Sequence, residues 1–294
     1  MLADLARRAA GYAADHAIGE DPHALGAPGL SLMRAQMPGP MRHVVYEPLV
    51  CLILQGAKRI FLPGAEVTLR SGQALVASFD LPVTSRVVEA GPQAPYLGLA
   101  LALDRALLRD LAARMPALPE TSTELPVTAG PAEPALVAAF ARLWALTEEP
   151  QALPVLAPHA TEEIHYRLLA GPQGATLRRL ARPEGQGERI SRAVEAIRRA
   201  PGQTHAVGDL ARIAGMSLTR FHESFRALTS VTPLQFQKQL RLTEARRLLG
   251  AGRHGVAQAA FEVGYESPTQ FSREYARMFG HPPMRDLPRA QAAV

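Results

Sequence analysis

The sequence predicts an α+β protein in which an antiparallel β-sandwich or barrel with packed helices precedes an all-α domain with two helix-turn-helix units. Short apolar runs with frequent turn signals fill residues 30–103, a pattern typical of antiparallel sheets. Near the carboxyl terminus, a pattern of helix, glycine turn and helix occurs twice. The 294 residues, 47% of them hydrophobic, suffice for about two domains with separate cores.

The amino-terminal segment MLADLARRAAGYAADHAIG predicts an amphipathic helix of the mature protein. It lacks the continuous apolar region and the cleavage pattern of a signal peptide. No run of about 18 uncharged apolar residues indicates a membrane-spanning helix. The single cysteine, Cys51, excludes an intramolecular disulfide and a cysteine-based zinc site. We therefore expect a cytoplasmic protein without a membrane partner.

Six short apolar or alternating runs predict the strands of the sheet. They cover residues 49–54, 59–62, 66–69, 74–76, 84–88 and 96–103. Glycine and proline turn signals separate them about every eight residues, as in a meandering antiparallel sandwich or barrel. No intervening segment is long enough for a crossover helix, which argues against a parallel sheet.

From residue 105 to residue 170 the apolar spacing becomes helical. It predicts helices over 105–115, 133–146 and 161–169, which would pack on the barrel or on a second subunit. The glycine- and proline-rich stretch 171–187 is predicted to be a linker. These patterns place one domain at residues 1–185, with its barrel at about 30–103, and a second domain at 186–294.

The duplicated pattern predicts two helical hairpins. Gly215 and Gly264 are 49 residues apart, and Ser217 and Ser267 are 50 apart. Each glycine can adopt the left-handed conformation that ends a helix, and each serine can cap the helix that follows. The second turn is therefore one residue longer than the first.

The second helix of each hairpin has a buried stripe and an outward polar face. Aromatic pairs at Phe221 with Phe225, and at Phe271 with Tyr275, have the i, i+4 spacing of one buried stripe. The residues on or beside the opposite face are Thr219, Arg220, His222, Glu223 and Arg226 in the first copy, and Pro268, Thr269, Gln270 and Arg273 in the second. This geometry suits a DNA major groove, although helical hairpins with merely solvated faces remain the alternative.

Net positive charge is confined to the carboxyl-terminal part of the chain. Residues 186–294 hold 16 Arg and Lys against 9 Asp and Glu, a net charge of +7, whereas residues 1–185 hold 16 against 18, a net of −2. Such asymmetry is expected when one domain binds a polyanion and the other does not. It favours double-stranded DNA as the partner of the second domain.

The carboxyl-terminal residues LARIAGMSLTRFHESFRALTSVTPLQFQKQLRLTEARRLL and VAQAAFEVGYESPTQFSREYARMFGHPPMRDL resemble the DNA-binding domain of the AraC/XylS transcription regulators. The resemblance implies that a long helix, here residues 233–249, joins two helix-turn-helix units. The family's base-contacting positions correspond here to Thr219, His222, Glu223, Pro268, Thr269, Gln270 and Arg273.

The upstream residues EPLVCLILQGAKRIFLPGAEVTLRSGQALVASFDLPVTSRV resemble the cupin-like amino-terminal domain of the same family. The two resemblances imply a one-component regulator whose barrel binds a small-molecule effector and whose helices support a homodimer. RNA polymerase is a further candidate partner, and the residues do not distinguish an activator from a repressor. The rival hypothesis is a cupin-type enzyme or small-molecule-binding module with an appended helical domain.

The chemistry of the outward residues differs between the two copies. Arg273 is suited to guanine O6 and N7, and Gln270 to adenine. Glu223 could accept from the amino group of cytosine, or it could support Arg220 or Arg226 as a helix-surface charge. The second copy is therefore predicted to be the stronger base reader.

The barrel has few groups for metal or covalent chemistry. His43 and Glu47 alone fall short of the histidine cluster of a metal-binding cupin, so we expect no metal, no other cofactor and no catalytic residues. His159, Glu162, Glu163 and His165 share one helix and are interpreted as solvated helix charges.

Two further side chains of this region have alternative interpretations. Cys51 is interpreted as a core residue, with sensing of an electrophile or oxidant as the alternative, and it is the sole candidate for effector binding. Trp144 is interpreted as helix packing or as a pocket wall.

Overall fold

Antiparallel sheets form the framework of the amino-terminal part of the chain in the computed structural model, which describes residues 1–62, 65–116, 127–172, 174–181, 185–252 and 254–287. The strands are β1 (His23–Ala24), β2 (Leu30–Ala35), β3 (Arg42–Tyr46), β4 (Leu49–Gln55), β5 (Ala57–Leu62), β6 (Ala65–Arg70), β7 (Gln73–Ala77), β8 (Leu81–Glu89), β9 (Tyr96–Ala102) and β10 (Val127–Pro131). The first sheet has the order β1-β2-β9-β4-β7-β10, and β5 lies between β8 and β6 in the second. The predicted antiparallel framework is confirmed.

The chain divides into two compact units. The N-terminal unit contains Met1–Met41 and Tyr46–Glu188, and the C-terminal unit contains Arg42–Val45 and Arg189–Val294.

The first sheet is buried on both faces, which explains the uninterrupted apolar sequence of β4. Val50 lies opposite Leu101 and Val76, whereas Cys51 lies opposite Ala100 and Leu75. The face that contains Val50 shares a core with helical residues. Because successive residues of a strand point to opposite faces, Cys51 lies on the other face.

The described residues of the N-terminal unit form five helices. They are α1 (Leu2–Asp15), α2 (Arg105–Arg114), α3 (Pro134–Thr147), α4 (Leu153–Ala170) and α5 (Gly174–Ala181). Their apolar faces share the core of the first sheet. Trp144 is fully buried there; its Nε1 donates to Glu148 at 3.1 Å, and its ring meets Tyr12 edge-on at 5.7 Å. The structure therefore favours helix packing as the role of Trp144.

Two sequence-based boundaries in this unit need correction. The strands extend beyond the predicted range of 30–103, because β10 adds to the first sheet beside β7, with Val127 opposite Ala77. Within the predicted linker 171–187 the chain forms α5, and its Leu177 and Ala181 belong to the core. Glycine and proline mark the ends of that stretch, while the apolar i, i+4 pair between them forms a helix that buries one face.

The helix predicted to carry solvated charges contains a buried histidine. His165 has no exposed surface. Its Nδ1 donates to the Thr161 carbonyl at 2.8 Å, and its Nε2 accepts from the backbone N–H of Asp104 at 2.9 Å. The neighbouring Glu162 and Glu163 pair with arginines, as expected for surface charges. The interpretation as solvated charges is therefore wrong for His165, which joins α4 to the start of α2.

We expect His165 to make the N-terminal unit acid-sensitive. Burial lowers the pKa of His165 below 6.5, against the raising effects of the Thr161 carbonyl and Asp104. The unfolded chain therefore binds a proton at His165 more readily than the folded chain does. As a result, the free energy of unfolding of the N-terminal unit should decrease as the pH falls below 6.5.

Replacing His165 with glutamine should cost about 1–2 kcal/mol at pH 7.5, because the hydrogen bonds at Asp104 and Thr161 are weakened. It should also flatten the decline in unfolding free energy between pH 7.5 and 5.5. Urea unfolding of both proteins across that range measures the difference, and histidines present in both cancel. Parallel pH profiles would contradict a buried neutral His165.

The C-terminal unit is helical apart from its short segment of β3. Its helices are α6 (Gln186–Arg199), α7 (Val207–Ile213), α8 (Leu218–Thr229), α9 (Pro233–Gly250), α10 (Val256–Glu262) and α11 (Pro268–Phe279), followed by a 3-10 turn at Pro283–Asp286. Within the described residues, no helix is long and apolar enough to cross a membrane.

Candidate nucleic-acid interface

Two helix-turn-helix repeats are present where the sequence predicts them. The first repeat is α7 with α8, and the second is α10 with α11. Gly215 and Gly264 have φ values of +62° and +80°, so both end the preceding helix in the left-handed conformation. Ser217 Oγ accepts from the N–H of Arg220 at 3.4 Å, and Ser267 Oγ accepts from that of Gln270 at 3.3 Å. The predicted glycine turns and serine caps are confirmed.

Aromatic side chains hold α8 and α11 against the rest of the unit. Phe225 lies 5.5 Å from Phe221 and 5.5 Å from Phe236 of α9, measured between ring centroids. In the second repeat, Phe271 lies 5.3 Å from Tyr265 and 5.4 Å from Tyr275. These rings are buried, so the opposite face of each helix is turned to solvent.

The candidate contact residues lie on that solvent-facing side. Pro268 is partly buried, and the other members of the set are exposed: Thr219, Arg220, His222, Glu223, Arg226, Thr269, Gln270 and Arg273. In the described part of the chain, Glu223 forms no ion pair with Arg220 or Arg226. The alternative in which Glu223 supports one of these arginines therefore gains no support from the structure. We call α8 and α11 the recognition helices from here on.

A polar network underlies the second recognition helix. Glu274 of α11 accepts from the hydroxyl of Tyr265 at 2.7 Å and pairs with Lys238 Nζ of α9 at 2.7 Å. The side chain of Gln270 also interacts with Glu274. Burial raises the pKa of Glu274, but the interactions with Lys238, Tyr265 and Gln270 outweigh it and lower that pKa. Glu274 is therefore a carboxylate that ties α11 to α9.

The long helix α9 also holds the loop that precedes the first repeat. Arg241 donates to the carbonyls of Pro201 and Gln203 at 2.9 and 2.8 Å. Buried Gln237 donates to the carbonyl of His205 and accepts from its N–H, both at 3.1 Å. One helix thus anchors the loop before α7 and, through Lys238, the helix α11.

The second repeat contacts the loop before the first repeat at a pair of glycines. A Cβ on Gly264 would overlap the carbonyl of Gly202, and a Cβ on Gly202 would lie 2.6 Å from the carbonyl oxygen of Glu262. The turn of the second repeat therefore packs directly on the backbone of the loop before the first. Together with α9, this contact fixes the two recognition helices relative to each other.

Several residues that build this interface have no distinctive sequence signal. Lys238, Arg241 and Gly202 stand outside the duplicated pattern, and their roles depend on contacts between distant segments. Glu274 has a local signal, because it lies one helical turn after Gln270.

The other candidate site residues belong elsewhere. Cys51 is buried in the sheet of the N-terminal unit, and burial raises the pKa of its thiol despite the opposing effect of Lys58. A raised pKa disfavours the reactive thiolate, which supports the interpretation of Cys51 as a core residue. Among the residues described, His43 and Glu47 do not belong to any group of three or more potential metal ligands.

Comparison with known protein families gives two matches. A family described as the N-terminus of AraC-type transcriptional regulators matches residues 26–176, and a helix-turn-helix domain family matches residues 210–287. Together these matches span both units.

Individual relatives agree with this assignment. The transcriptional activator VirF of Yersinia enterocolitica is 30% identical over 169 residues, 56% of this chain and 60% of VirF. The regulator ExsA of Pseudomonas aeruginosa is 28% identical over 132 residues, 45% of this chain and 47% of ExsA. The matched segments thus span about half the length of these relatives.

A solved structure has the same fold. The structure of an apo ToxT variant from Vibrio cholerae superposes with a TM-score of 0.60 at 8% identity, covering 87% of this chain and 96% of that one. At this identity, the likeness describes the arrangement of the backbone.

Proposed function

We propose, for a chain that belongs to the AraC-type family of transcriptional regulators, that the N-terminal unit senses a small molecule and thereby controls the placement of the C-terminal unit on DNA. The family is one of DNA-binding regulators rather than enzymes, so the alternative of a cupin-type enzyme is set aside. The domains in this proposal are residues 1–185 for effector binding and dimerisation, and 186–294 for DNA binding.

The rigid pair of recognition helices carries the DNA-binding part of the proposal. Each helix has an exposed polar face at its N-terminal end, and α9 holds both repeats through side chains rather than through a flexible connection. Two such faces would enter successive major-groove segments of one duplex. We propose that Thr219, His222 and Glu223 contact bases in one segment, and Pro268, Thr269, Gln270 and Arg273 in the next, while Arg220 and Arg226 contact phosphates.

The network beneath α11 supports a larger role for the second repeat. The Gln270 side chain interacts with Glu274, and a carboxamide that directs one N–H to this carboxylate keeps its other N–H for adenine N7 and its oxygen for the N6 amino group. Arg273 lies on the exposed face of the same helix and suits guanine.

Effector sensing and assembly form the second part of the proposal. A ToxT structure with the same fold is described as bound to an unsaturated fatty acid, which supports a small-molecule ligand for the N-terminal unit. VirF is described as a transcriptional activator, which supports activation through RNA polymerase. A homodimer would place two C-terminal units on paired half-sites, and an effector that favours one arrangement would change which half-sites are occupied.

The direct test uses the full chain. Selection of bound duplexes from a random pool should enrich one sequence, and footprinting should protect two adjacent major-groove segments. The affinity should fall steeply with salt, with log K decreasing by about 0.9 per neutralised phosphate for each unit of log salt concentration. A small-molecule-binding module without a DNA function predicts neither enrichment nor salt dependence, and that outcome would overturn the proposal.

A further inference from the structure

Tyr96 lies on the face of the first sheet that is turned away from the helices, and the described residues supply no hydrogen-bond partner for its hydroxyl. Leu97 and Leu99 of β9 face the helices, so the alternate residues Tyr96, Gly98 and Ala100 face the other side. Tyr96 is 2% exposed, and its hydroxyl has no hydrogen-bond partner among the residues described. Folded proteins seldom leave a buried hydroxyl unpaired, so this hydroxyl requires an explanation.

The backbone makes room for that hydroxyl. A Cβ on Gly98 would lie 2.6 Å from Tyr96 Oη and 3.4 Å from Met33 Cε. The phenol therefore lies back along its own strand, over a residue that must be small. Ala100 and Cys51 pair beside it, so the neighbouring wall is also made of small side chains.

A positive charge reaches the same region from the second sheet. Lys58 of β5 interacts electrostatically with Cys51, and its Nζ lies 5.7 Å from the ring centroid of Tyr46. Tyr96 in turn interacts with Cys51 and Tyr46. Burial raises the pKa of both Tyr96 and Cys51, so the phenol keeps its proton as a donor and the ammonium of Lys58 is the charged member of this group.

We propose that this group binds the effector, and that the effector is an apolar molecule with a single carboxylate. The carboxylate would accept from the Tyr96 hydroxyl and pair with Lys58, while the apolar body of the molecule lies against the small side chains of Ala100 and Cys51. This assignment rests on the sensing role proposed above and adds the ligand class and the two residues that select it.

Matched acids and amines test the proposal on the full-length protein. The probes are hexanoate, decanoate and 3-phenylpropanoate, each beside the amine with the same carbon skeleton. Isothermal titration and the thermal unfolding midpoint report binding. At least one acid should bind and raise the midpoint, while its amine should not, because Lys58 attracts only the anion.

The variants separate ligand binding from stability. Tyr96→Phe removes an unpaired hydroxyl, so the midpoint without ligand should stay the same or rise, while affinity for the acid should fall at least tenfold. Lys58→Met should weaken acid binding and abolish the preference over the amine. Tyr12→Phe, which alters a tyrosine of α1 stacked on His16 at 3.9 Å, is the control and should bind the acid normally.

Three results would overturn the proposal: no acid binds, acid and amine bind equally, or Tyr96→Phe keeps its affinity. Band shifts with the selected duplex, measured with and without the acid, test the regulatory role separately. Binding that depends on Tyr96 but leaves DNA complexes unchanged would support the site and contradict effector control. DNA complexes that respond to another ligand class while no acid binds would do the reverse.

Discussion

Replacing Gly264 with alanine is expected to destabilise the C-terminal unit by about 2–5 kcal/mol. The left-handed φ of +80° costs an alanine about 1–2 kcal/mol. The added Cβ would also overlap the carbonyl of Gly202, and forcing such an overlap typically costs about 1–3 kcal/mol more. Because that contact holds the second repeat against the loop that leads into the first, DNA affinity should fall even under conditions in which the unit remains folded.

Gly215→Ala is the matched control, since Gly215 occupies the same turn of the first repeat. Its φ of +62° brings a similar backbone penalty, but the nearest atom to a Cβ there is Arg189 Nη1, at 3.9 Å. The expected loss is therefore about 1–2 kcal/mol. Urea unfolding of the full chain, followed by far-UV circular dichroism, measures both variants. Equal losses at the two glycines would contradict a special role for the contact with Gly202.

Gly215 and Gly264 have the same local sequence signal but different surroundings in the structure. Turn chemistry is local, so the spacing of Gly215 and Gly264 is enough to predict two turns, and the i, i+4 aromatic pairs are enough to orient the recognition helices. Nothing in the local sequence distinguishes one glycine from the other. The difference arises because residues 200–205 lie against only one of the two turns.

The N-terminal unit shows the same division between local and long-range information. The alternating pattern of β8 and the apolar run of β4 are local signals, and both strands form. β10 contains Gly130 and Pro131, which weaken a strand pattern, and it forms because β7 offers it an edge. His165 is polar by composition and buried by context, because α2 brings the backbone N–H of Asp104 to it.

The link between the repeats has a functional consequence. Lys238, Arg241 and Gly202 help to set the relative placement of the two recognition helices. We therefore expect substitutions there to change the spacing of the two major-groove segments that one unit accepts rather than the identity of the bases. In the proposed mode of binding, base identity would depend instead on the exposed side chains. Spacing and base identity would thus be set by different residues of the same unit.

Arg273→Ala is the substitution expected to change sequence preference most. A guanidinium that reads guanine O6 and N7 contributes about 1–3 kcal/mol of discrimination, so preference at one guanine position should fall by about 5- to 150-fold. Binding to unrelated DNA should change little, because that binding depends on phosphate contacts. Competition titrations of the selected duplex against single-base variants, at fixed salt, locate the affected position.

Arg277→Ala is the comparison, because Arg277 lies one helical turn further along α11 and is also exposed. It stands beyond the N-terminal part of the helix that enters a groove, so its loss should weaken binding to all duplexes by a similar factor and reduce the salt dependence by about one phosphate.

Glu223→Ala changes the matching position of the first repeat. If Glu223 reads cytosine, its loss should relax the preference at one position of the segment bound by the first repeat. If its carboxylate only repels phosphate, its loss should tighten binding to every duplex. A uniform loss for Arg273→Ala, equal to that for Arg277→Ala, would place Arg273 on the phosphate backbone and leave Gln270 as the main reader of the second repeat.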